Sequence, residues 1–417
     1  MEHIKIKTLK SETFTFIKWV LIALVVGGIG GVVGSAFHTL VDLATETREA
    51  NSFLIYLLPL GGLVIVFLYK FAHATTGVDT NRVIEAADTD NKSIPFVMAP
   101  LIFISTVITH LFGGSAGREG AALQIGGSIG YALGKVFRLD KKDSHIIVMT
   151  GMSGLFAALF GTPVTATFFA VEVISVGVMH YAGLVPCIVS SLVASFIAKL
   201  FGLHPVNFAD IVLPEIDVLL ALKVLLLAVL CAFVSVLFCL SLETCEHLFK
   251  KYLKNAYVRV FVGGVLIVVL TLICGTHDYN GAGMDVIGRA MKGEARWEAF
   301  ILKMLFTVIT VAAGFKGGEI VPTFFIGATF GCAVAPLIGL SPVLGAAIGF
   351  IALFCSVVNC PVASVILAVE VFGGSSILIF ALVVCISYMT SGYTGLYHSQ
   401  RIVYSKFGEK YINIHTK

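Results

Sequence analysis

Charged side chains are scarce in this chain, and their scarcity excludes a soluble globular protein. Asp, Glu, Lys and Arg make up only 13% of the 417 residues, whereas the residue types AVILMFWYC make up 58%. A soluble domain carries roughly 25% charged residues. The mean hydropathy is +0.97. The composition therefore predicts an integral membrane protein whose main surroundings are the lipid bilayer.

Further absences narrow the class of protein. The nine cysteines form no C-x-x-C pair and mostly lie inside apolar runs, so we interpret them as small apolar side chains. No metal centre, disulfide framework or cofactor is predicted, and the net charge of +3 gives no reason to expect a nucleic acid partner. Only about 20 residues follow Tyr397. We therefore interpret residues 1–417 as a single membrane domain without a cytosolic regulatory domain.

The apolar segments are of unequal length. A helix needs about 20 apolar residues to cross a bilayer. The segments 14–46 and 216–249 are longer than this, so they must tilt strongly or protrude. Several others are shorter or are interrupted, and the interruptions richest in glycine are 76–81, 113–120 and 314–322. Helices that stop partway across a membrane are tolerated only where their exposed backbone lines a cavity or packs on protein.

The sequence repeats itself at a spacing of about 200 residues. One motif is an apolar stretch that runs into a glycine pair, and the other is a Pro-Val pair seven residues before Ala-Val-Glu-Val. The matching segments are 103–119 with 305–319, and 163–173 with 361–371. Many transporters are built from two such copies, with the substrate site between them near the membrane midplane. We predict a first repeat over about 20–201 and a second over about 216–400.

Basic residues cluster at four places in the chain. These are its two ends and two connections between apolar segments, represented by Lys18, Lys141, Lys250 and Arg401. Cytoplasmic loops of membrane proteins are enriched in Lys and Arg. The first apolar run is too long for the core of a cleavable signal peptide. The sequence therefore predicts a multi-pass protein of the cell (plasma or inner) membrane with both termini in the cytoplasm.

The glycine-rich segment 113–120 leads into an apolar helix that starts near Glu119. A helix N-terminus exposes unpaired N–H groups and partial positive charge, so it can hold an anion without a counter-cation. Glu119 would occupy this place as a tethered anion, which leaves or takes up a proton when a mobile anion arrives. Ionisable residues within membrane segments are usually functional. We predict gating and proton transfer at Glu119, with Gly117, Arg118 and Gly120 around the anion.

A second helix start, in the other half of the chain, has the same character. The pair Gly317–Gly318 and Glu319 precede Pro322, which suits the first turn of a helix because its missing N–H costs nothing there. Glu319 is a second intramembrane carboxylate, and the sequence is equally compatible with a role in proton movement and with a simple interfacial position. The anion-binding residues predicted at this helix start are Ile320, Val321, Thr323, Phe324 and Phe325.

A third loop enters a helix at 76–84, where Asp79 or Thr80 is the expected N-cap. The spacing of its residues alone is a weak signal. Since the loop resembles the two other helix starts, we include it in the predicted anion site. Its predicted anion-binding residues are Val78, Asp79, Thr80 and Asn81.

Four other residues have competing interpretations. The phenolic O–H of Tyr397 could donate to an anion, but from this residue alone we favour its interpretation as a lone interfacial tyrosine. Glu172 and Glu370 occupy matching positions in the two repeats, and we interpret them as helix-end or packing residues. Ser115 lies in a G-x-S-x-G pattern of the kind found in serine hydrolases, although that pattern requires a preceding strand.

Taken together, these motifs resemble the CLC chloride channel and transporter family. The resemblance covers about 20–405 and rests on the motifs at 117–120 and 317–322, both Pro-Val segments and the late Tyr397. It implies an all-α integral membrane fold, an inverted-repeat bundle of tilted and half-spanning helices. It also implies a homodimer with one anion pathway in each subunit, in which Glu119 is the external gating glutamate and Tyr397 is the tyrosine of the inner pathway.

Several departures from the chloride-transporting members resemble the bacterial fluoride/proton antiporter branch of the family. Those members usually carry Ser and Pro in the first loop, Pro after Arg-Glu-Gly, an inner glutamate after Val-Glu, and an apolar residue after the second glycine pair. The corresponding positions here are 78–81, Ala121, Val173 and Glu319. One position departs from the fluoride branch too, since that branch usually has threonine where Val321 stands.

Fluoride is compact and strongly hydrated, so its dehydration requires close donors, and the positive edge of an aromatic ring can help. Phe325, or the neighbouring Phe324, is placed for this. The sequence therefore predicts a transporter, not an enzyme, that exports fluoride in exchange for protons. A chloride/proton antiporter and a passive chloride channel of the same family are the alternatives, and an intramembrane serine hydrolase that uses Ser115 is a distant one.

Overall fold

The computed structural model describes residues 2–74, 79–89, 93–208 and 217–416. Within these residues the chain forms sixteen α-helices, which fall into two successive sets of eight. The first set is α1 (Glu2–Ala50), α2 (Leu58–Phe71), α3 (Thr80–Asp88), α4 (Met98–Leu111), α5 (Glu119–Val136), α6 (Lys141–Phe160), α7 (Pro163–Glu172) and α8 (Leu184–Leu200). The second set is α9 (Val218–Tyr252), α10 (Ala256–Cys274), α11 (Met284–Ala290), α12 (Ala299–Ala313), α13 (Ile320–Val334), α14 (Pro342–Val358), α15 (Pro361–Phe372) and α16 (Ile377–Thr390).

Short elements complete the fold. The described residues contain four 3-10 turns, which are Ser52–Leu57, Tyr181–Gly183, Ala335–Ile338 and Gly374–Ser376. They also contain three short strands, which are β1 (Ser175–Val176), β2 (Arg401–Tyr404) and β3 (Tyr411–His415). β1 pairs in parallel with β2, and β2 pairs antiparallel with β3. This small sheet joins the end of the chain to the segment after α7 and leaves the fold class all-α, as predicted.

Helix length varies as the sequence predicts. α1 contains 49 residues and α9 contains 35, so both are longer than a straight span requires. Within the described residues, seven helical stretches are long and apolar enough to cross a membrane, and five shorter apolar helices contain 10–17 residues. The prediction of an integral membrane fold, in which spanning helices are combined with shorter ones, is confirmed.

The two sets of helices follow the same order. Each set opens with its longest helix and has a glycine-rich loop between its fourth and fifth helices. Thr162 and Cys360, which precede the prolines that start α7 and α15, have nearly identical backbone angles, φ −116° and ψ 78° against φ −118° and ψ 77°. This correspondence supports the predicted duplication. The repeat boundaries near 201 and 216 stay a prediction, since residues 209–216 lie outside the described part of the chain.

Two helix crossings at matching places of the two sets require glycine. A Cβ atom on Gly126 of α5 would lie 2.3 Å from the carbonyl oxygen of Gly151 in α6. A Cβ atom on Gly327 of α13 would lie 2.2 Å from the carbonyl oxygen of Gly349 in α14. Small residues let membrane helices approach closely. These crossings hold the fifth helix of each set, whose N-terminus is a predicted anion site.

The predicted basic clusters are connected through contacts on one face of the structure. Lys18 pairs with Asp143 at 2.5 Å, so α1 meets the start of α6 near its own N-terminal side. The start of α6 shares a surface pocket with the end of α3, where Asp88 pairs with Arg401 at 3.1 Å. The start of α3 shares a cavity with Lys250 of α9. Contacts and shared pockets therefore connect a described member of each of the four clusters.

A reciprocal pair of carboxylates ties α7 to α15. The carboxylate of Glu370 in α15 accepts hydrogen bonds from the backbone N–H groups of Val164 at 3.0 Å and Thr165 at 2.8 Å, at the start of α7. The carboxylate of Glu172 at the end of α7 accepts from the N–H groups of residues 362 and 363, at the start of α15, at 3.1 and 2.9 Å. The first N–H groups of a helix have no intrahelical partner. Each glutamate therefore caps the other helix, which agrees with their interpretation as helix-end residues.

We expect Glu172→Ala to destabilise the protein, because it leaves the buried N–H of Ala363 and the partly buried N–H of Val362 without an acceptor. An unsatisfied buried donor costs about 1–3 kcal/mol. Glu172→Gln keeps an acceptor oxygen at the same place, so its loss should be smaller. The measurement is the temperature at which purified protein in detergent loses half of its monodisperse gel-filtration peak. Equal transition temperatures for Glu172→Ala and the unmodified protein would contradict the capping role.

Candidate functional site

The glycine loops of the two halves meet through their backbones. The N–H of Gly117 donates to the carbonyl oxygen of Gly318 at 2.6 Å, and the N–H of Gly318 donates back to Gly117 at 2.7 Å. A Cβ atom on Gly318 would lie 2.4 Å from the backbone nitrogen of Gly120, and one on Gly117 would lie 2.9 Å from a carboxylate oxygen of Glu119. Only glycine permits this approach, which brings the N-termini of α5 and α13 together.

Three helices begin in the predicted loops. α3 starts at Thr80, and of its two candidate N-caps the residue that acts is Asp79, whose side chain accepts from the N–H of Asn81 at 2.9 Å. α5 starts at Glu119, and α13 starts at Ile320 with its proline in the first turn. Within the described residues, the N-cap side chains of α5 and α13 make no capping hydrogen bond, so the two helix starts are available to another acceptor.

Glu119 folds back over the start of its own helix. Its side chain is only 3% exposed, and its Oε2 accepts a hydrogen bond from the backbone N–H of Arg118 at 3.0 Å. Its Oε1 lies 3.9 Å from Nε of the same arginine. The carboxylate therefore lies beside the N–H groups that would hold a mobile anion, which is the geometry predicted for a tethered anion.

A cavity of about 220 Å³ opens on the basic face, just below this helix start. The predicted site residues that line it are Asp79, Thr80, Asn81, Glu319 and Tyr397. Thr80 connects the cavity to the start of α5, since its hydroxyl lies 3.4 Å from the carbonyl oxygen of Gly120. Glu319 is close to Gly120 as well, because a Cβ atom on Gly120 would lie 3.3 Å from Oε2 of Glu319.

Val321 and Thr323 are buried and are not among the described residues that line this cavity. Val321 packs against Gly117, since a Cβ on that glycine would lie 3.0 Å from its side chain. Thr323 directs both its N–H and its hydroxyl to the carbonyl oxygen of Glu319, at 3.0 and 2.9 Å, so its donors are already used. Val78 lies outside the described residues.

The two candidate phenylalanines lie in different surroundings. Phe324 stacks on Phe350 with ring centroids 3.9 Å apart, within a group of packed phenyl rings. Phe325 meets the ring of Tyr279 edge-on at 6.4 Å, and the ammonium of Lys303 lies 5.1 Å from its centroid. Neither is among the described residues that line the cavity. The prediction that one of them offers its ring edge to the anion stays a prediction.

Gln124 is a cavity residue that sequence reasoning missed. It is 4% exposed, and its Nε2 donates to the hydroxyl of Thr80 at 3.1 Å. Among the described residues, its Oε1 and the hydroxyl of Tyr397 are buried without a hydrogen-bond partner, although both residues line the cavity. Buried polar atoms are normally paired. The hydroxyl of Tyr397 is therefore available to donate to an ion or its water, and Oε1 of Gln124 is available to accept from such a water. The sequence feature that could have identified Gln124 is an amide side chain within an apolar helix.

Sequence reasoning also missed buried basic groups near the glycine loops. Lys303 of α12 is fully buried, and its ammonium donates to the carbonyl oxygens of Tyr279 at 3.2 Å and Gly281 at 2.7 Å. His110 of α4 is also fully buried, with its Nε2 3.4 Å from the carbonyl oxygen of Gly117. The sequence feature that could have identified them is an ionisable side chain inside an apolar segment.

The geometry around Ser115 differs from that of a hydrolase nucleophile. Its hydroxyl is fully buried and shares a hydrogen bond of 3.0 Å with the hydroxyl of Thr307. Its N–H donates to the hydroxyl of Thr310 at 3.1 Å. The segment before it is the helix α4, whereas a nucleophile elbow follows a strand. Ser115 therefore serves as a contact between the two halves of the chain.

The fold defines a class, a membrane transport protein of the inverted-repeat type, and the predicted ion site lies where helices of its two halves begin. The chain belongs to the voltage-gated chloride channel (CLC) family, whose family model matches residues 60–392. It is 34% identical over 396 residues to a chloride/fluoride channel protein of Pseudomonas syringae pv. tomato, an alignment that covers 93% of this chain and 87% of that protein.

Further similarities agree with this membership. The crystal structure of a CLC-type fluoride/proton antiporter superposes with a TM-score of 0.90 at 31% identity, covering 93% of this chain and 98% of the other. An H(+)/Cl(-) exchange transporter, ClcA, of Vibrio cholerae is 27% identical over 84% of this chain and 81% of its own length. The structure of a slow cyanobacterial Cl-/H+ antiporter, with a TM-score of 0.76 at 20% identity, shares the fold. The resemblance stated from the sequence is confirmed.

We expect Gly318→Ala to destabilise the bridge between the two halves, because the added methyl group would overlap the backbone of Gly120. Overpacking of this kind costs about 1–3 kcal/mol. Gly288→Ala is the matched control, since a Cβ at that helical glycine meets nothing within 4 Å. The measurement is thermal loss of the monodisperse peak in detergent. A transition temperature for Gly318→Ala equal to that of Gly288→Ala would show that the loops can separate freely.

Proposed function

We propose that this protein exchanges fluoride for protons across the cell membrane, so that proton entry drives export of the anion. The observation that carries the proposal is the position of two carboxylates about one glycine bridge. Glu119 lies at the start of α5 beside Arg118, and Glu319 lies on the cavity side. The similar proteins described as a chloride/fluoride channel protein and a fluoride/proton antiporter support the same substrate class.

Fluoride would enter through the cavity on the basic face and move towards the N-termini of α5 and α13. Backbone N–H groups at a helix start stabilise an anion that has given up part of its water. The groups along this route that we assign to the anion are Asp79 through its backbone, Thr80, Asn81 and Tyr397, followed by the backbone of Arg118, Gly120, Ile320 and Val321. The N–H of Gly117 is already used in the bridge to Gly318. Since Glu119 already lies at this place, the arriving fluoride competes with its carboxylate.

Protonation of Glu119 couples the two fluxes. A neutral carboxylic acid no longer competes for the helix start, so the anion can pass while the side chain carries its proton. The proton comes from the outer solution and must leave towards the inner one. Glu319 lies between the bridge and the cavity, so we assign it the passage of the proton to the cavity.

The orientation follows from the distribution of charge. The face that carries the described basic clusters is the cytoplasmic one, because Lys and Arg are enriched in cytoplasmic loops. Both chain ends then lie in the cytoplasm of a cell whose plasma or inner membrane holds the protein. We propose a homodimer in which each subunit has its own pathway, with 163–201 and 361–391 at the interface.

Chloride/proton exchange is the second candidate function, and the similarity to the H(+)/Cl(-) exchange transporter of Vibrio cholerae favours it. The same gate and the same helix starts would serve either anion. The carboxylate of Glu319 beside the bridge favours fluoride, since it replaces an apolar residue of the chloride-transporting pattern. A passive channel would use the same route without a proton requirement.

We expect fluoride to leave loaded liposomes faster than chloride, with uptake of protons from the outer solution. In Glu119→Gln the proton uptake should fall to the leak of protein-free liposomes, because an amide cannot carry a proton in the same way. Anion release and external pH are recorded together with ion-selective electrodes. Chloride efflux equal to or faster than fluoride efflux would favour the chloride exchanger, and anion efflux without proton uptake in the unmodified protein would favour a channel.

We expect Glu319→Gln to reduce proton-coupled fluoride efflux by about a hundredfold, the lower end of what a positioned proton-transfer group contributes to a reaction. Glu243→Gln is the matched control, because Glu243 lines the same cavity from α9. The measurement is the initial rate of proton uptake per transporter in fluoride-loaded liposomes. Equal rates in the two variants would remove Glu319 from the proton route and leave it as a cavity residue.

A further inference from the structure

We infer that Asp42 and His38 of α1 hold the guanidinium of Arg118 away from Glu119, and so set how acidic the outer solution must be before the gate is protonated. We refer to Asp42, His38 and Arg118 as the outer clasp. Its side chains are positioning groups, since they act through Glu119, whereas the anion is assigned to the backbone of Arg118 and not to its guanidinium. The inference rests on the proposed function of Glu119 as the proton-carrying gate.

The outer clasp is a continuous set of polar contacts. His38 and Asp42 lie one helical turn apart on α1, with Nε2 of the histidine 2.9 Å from Oδ2 of the aspartate. The guanidinium of Arg118 donates through Nη1 to the other oxygen of Asp42, and its Nη2 lies 3.3 Å from His38 Nε2. The 2.9 Å contact with a carboxylate requires that His38 Nε2 carries its proton and donates it. His38 and Arg118 therefore both anchor on Asp42.

The side chains of the outer clasp become less exposed from Asp42 towards Glu119. Asp42 is 47% exposed, Arg118 and His38 are 15% and 12% exposed, and Glu119 is 3% exposed. The clasp lies near the C-terminal end of α1, whereas Lys18, which belongs to the basic face, is near the other end of the same helix. The clasp is therefore on the outer side of the proposed membrane orientation, where protons must reach Glu119.

Arg118 is shared unequally between two carboxylates. It makes a direct hydrogen bond to Asp42, while its Nε remains 3.9 Å from Oε1 of Glu119, which is beyond hydrogen-bond range. A charge-assisted hydrogen bond from arginine strongly favours the ionised form of a carboxylate. Because Asp42 takes this hydrogen bond, Glu119 keeps only the longer ion-pair contact with Arg118, and the guanidinium stabilises its ionised form less than a direct hydrogen bond would.

Other charged and titratable groups near Glu119 do not substitute for the clasp. His110 of α4 directs Nε2 to the carbonyl oxygen of Gly117, and Arg48 at the end of α1 donates to the carbonyl oxygen of His110 and to Glu49. The remaining groups that face this region are Lys303 of α12, Glu319 before α13 and Tyr397. In the described part of the chain, the side chains that contact Arg118 from the outer side belong to α1.

A purely structural ion pair would explain why Asp42 contacts Arg118, but not why this contact lies directly beside Glu119. A pair with one half-exposed partner contributes little to stability. Loss of Asp42 should therefore leave folding nearly unchanged while it releases Arg118 to bond with Glu119. An ionised Glu119 held by arginine needs a higher proton concentration for the same degree of protonation. The pH dependence on the outer side then moves to lower pH, and the dependence on the inner side does not.

The test is fluoride efflux from liposomes of the full-length protein over a range of external pH, with internal pH held constant. We expect Asp42→Asn to lower the external pH of half-maximal efflux by about one unit, which is the lower end of the effect of an adjacent arginine on a carboxylate. Glu46→Gln is the matched control, since Glu46 is an exposed acid one turn further along α1. Gel filtration establishes that each variant is folded.

A second comparison separates the clasp from a general loss of negative charge. In an Arg118→Gln background, Asp42→Asn should produce no further shift, because the guanidinium that it would release is absent. A shift that persists in this background, or an unshifted Asp42→Asn, would overturn the clasp. Efflux of the unmodified protein that does not depend on external pH would instead overturn the proposed proton exchange, and the clasp with it.

Discussion

The backbone bridge between Gly117 and Gly318 is the constraint on which the rest of this structure depends. Its two hydrogen bonds, 2.6 and 2.7 Å long, join loops that lie far apart in the chain. Because a side chain at Gly318 would overlap the backbone of Gly120, the close approach of the starts of α5 and α13 depends on glycine. The carboxylate of Glu119, the proposed gate, and the cavity carboxylate of Glu319 owe their separation to this bridge.

Buried charges in this protein differ in the groups that satisfy them, and the difference is consistent with the roles proposed for them. Glu172 and Glu370 each accept hydrogen bonds from the start of a helix in the opposite half, so moving either would uncap that helix. Lys303 is held by two carbonyl oxygens. Glu119 bonds to the backbone of its own loop, so it can leave its place without breaking the packing of another element. A charge with such local partners is suited to a moving gate.

Local signals predicted most of the helix starts. Glycine loops, an N-cap carboxylate and a proline in the first turn act within a few residues, which is why α3, α5 and α13 begin where the sequence places them. The same reasoning did not find Gln124, whose partner Thr80 is 44 positions away, or the contact of Arg118 with Asp42 across 76 positions. Sequence spacing contains no information on which distant side chains will meet.

The sequence by itself determined the membrane class, the duplication, the two carboxylates and the family, because composition, periodicity and motif order are properties of the chain. Only the tertiary structure decided that α7 and α15 cap each other, that Thr323 has used its donors, and that Phe324 packs among phenyl rings while Phe325 lies under a lysine. These outcomes depend on which helices cross and how closely. Such contacts are set by packing of the whole bundle and not by any local pattern of residues.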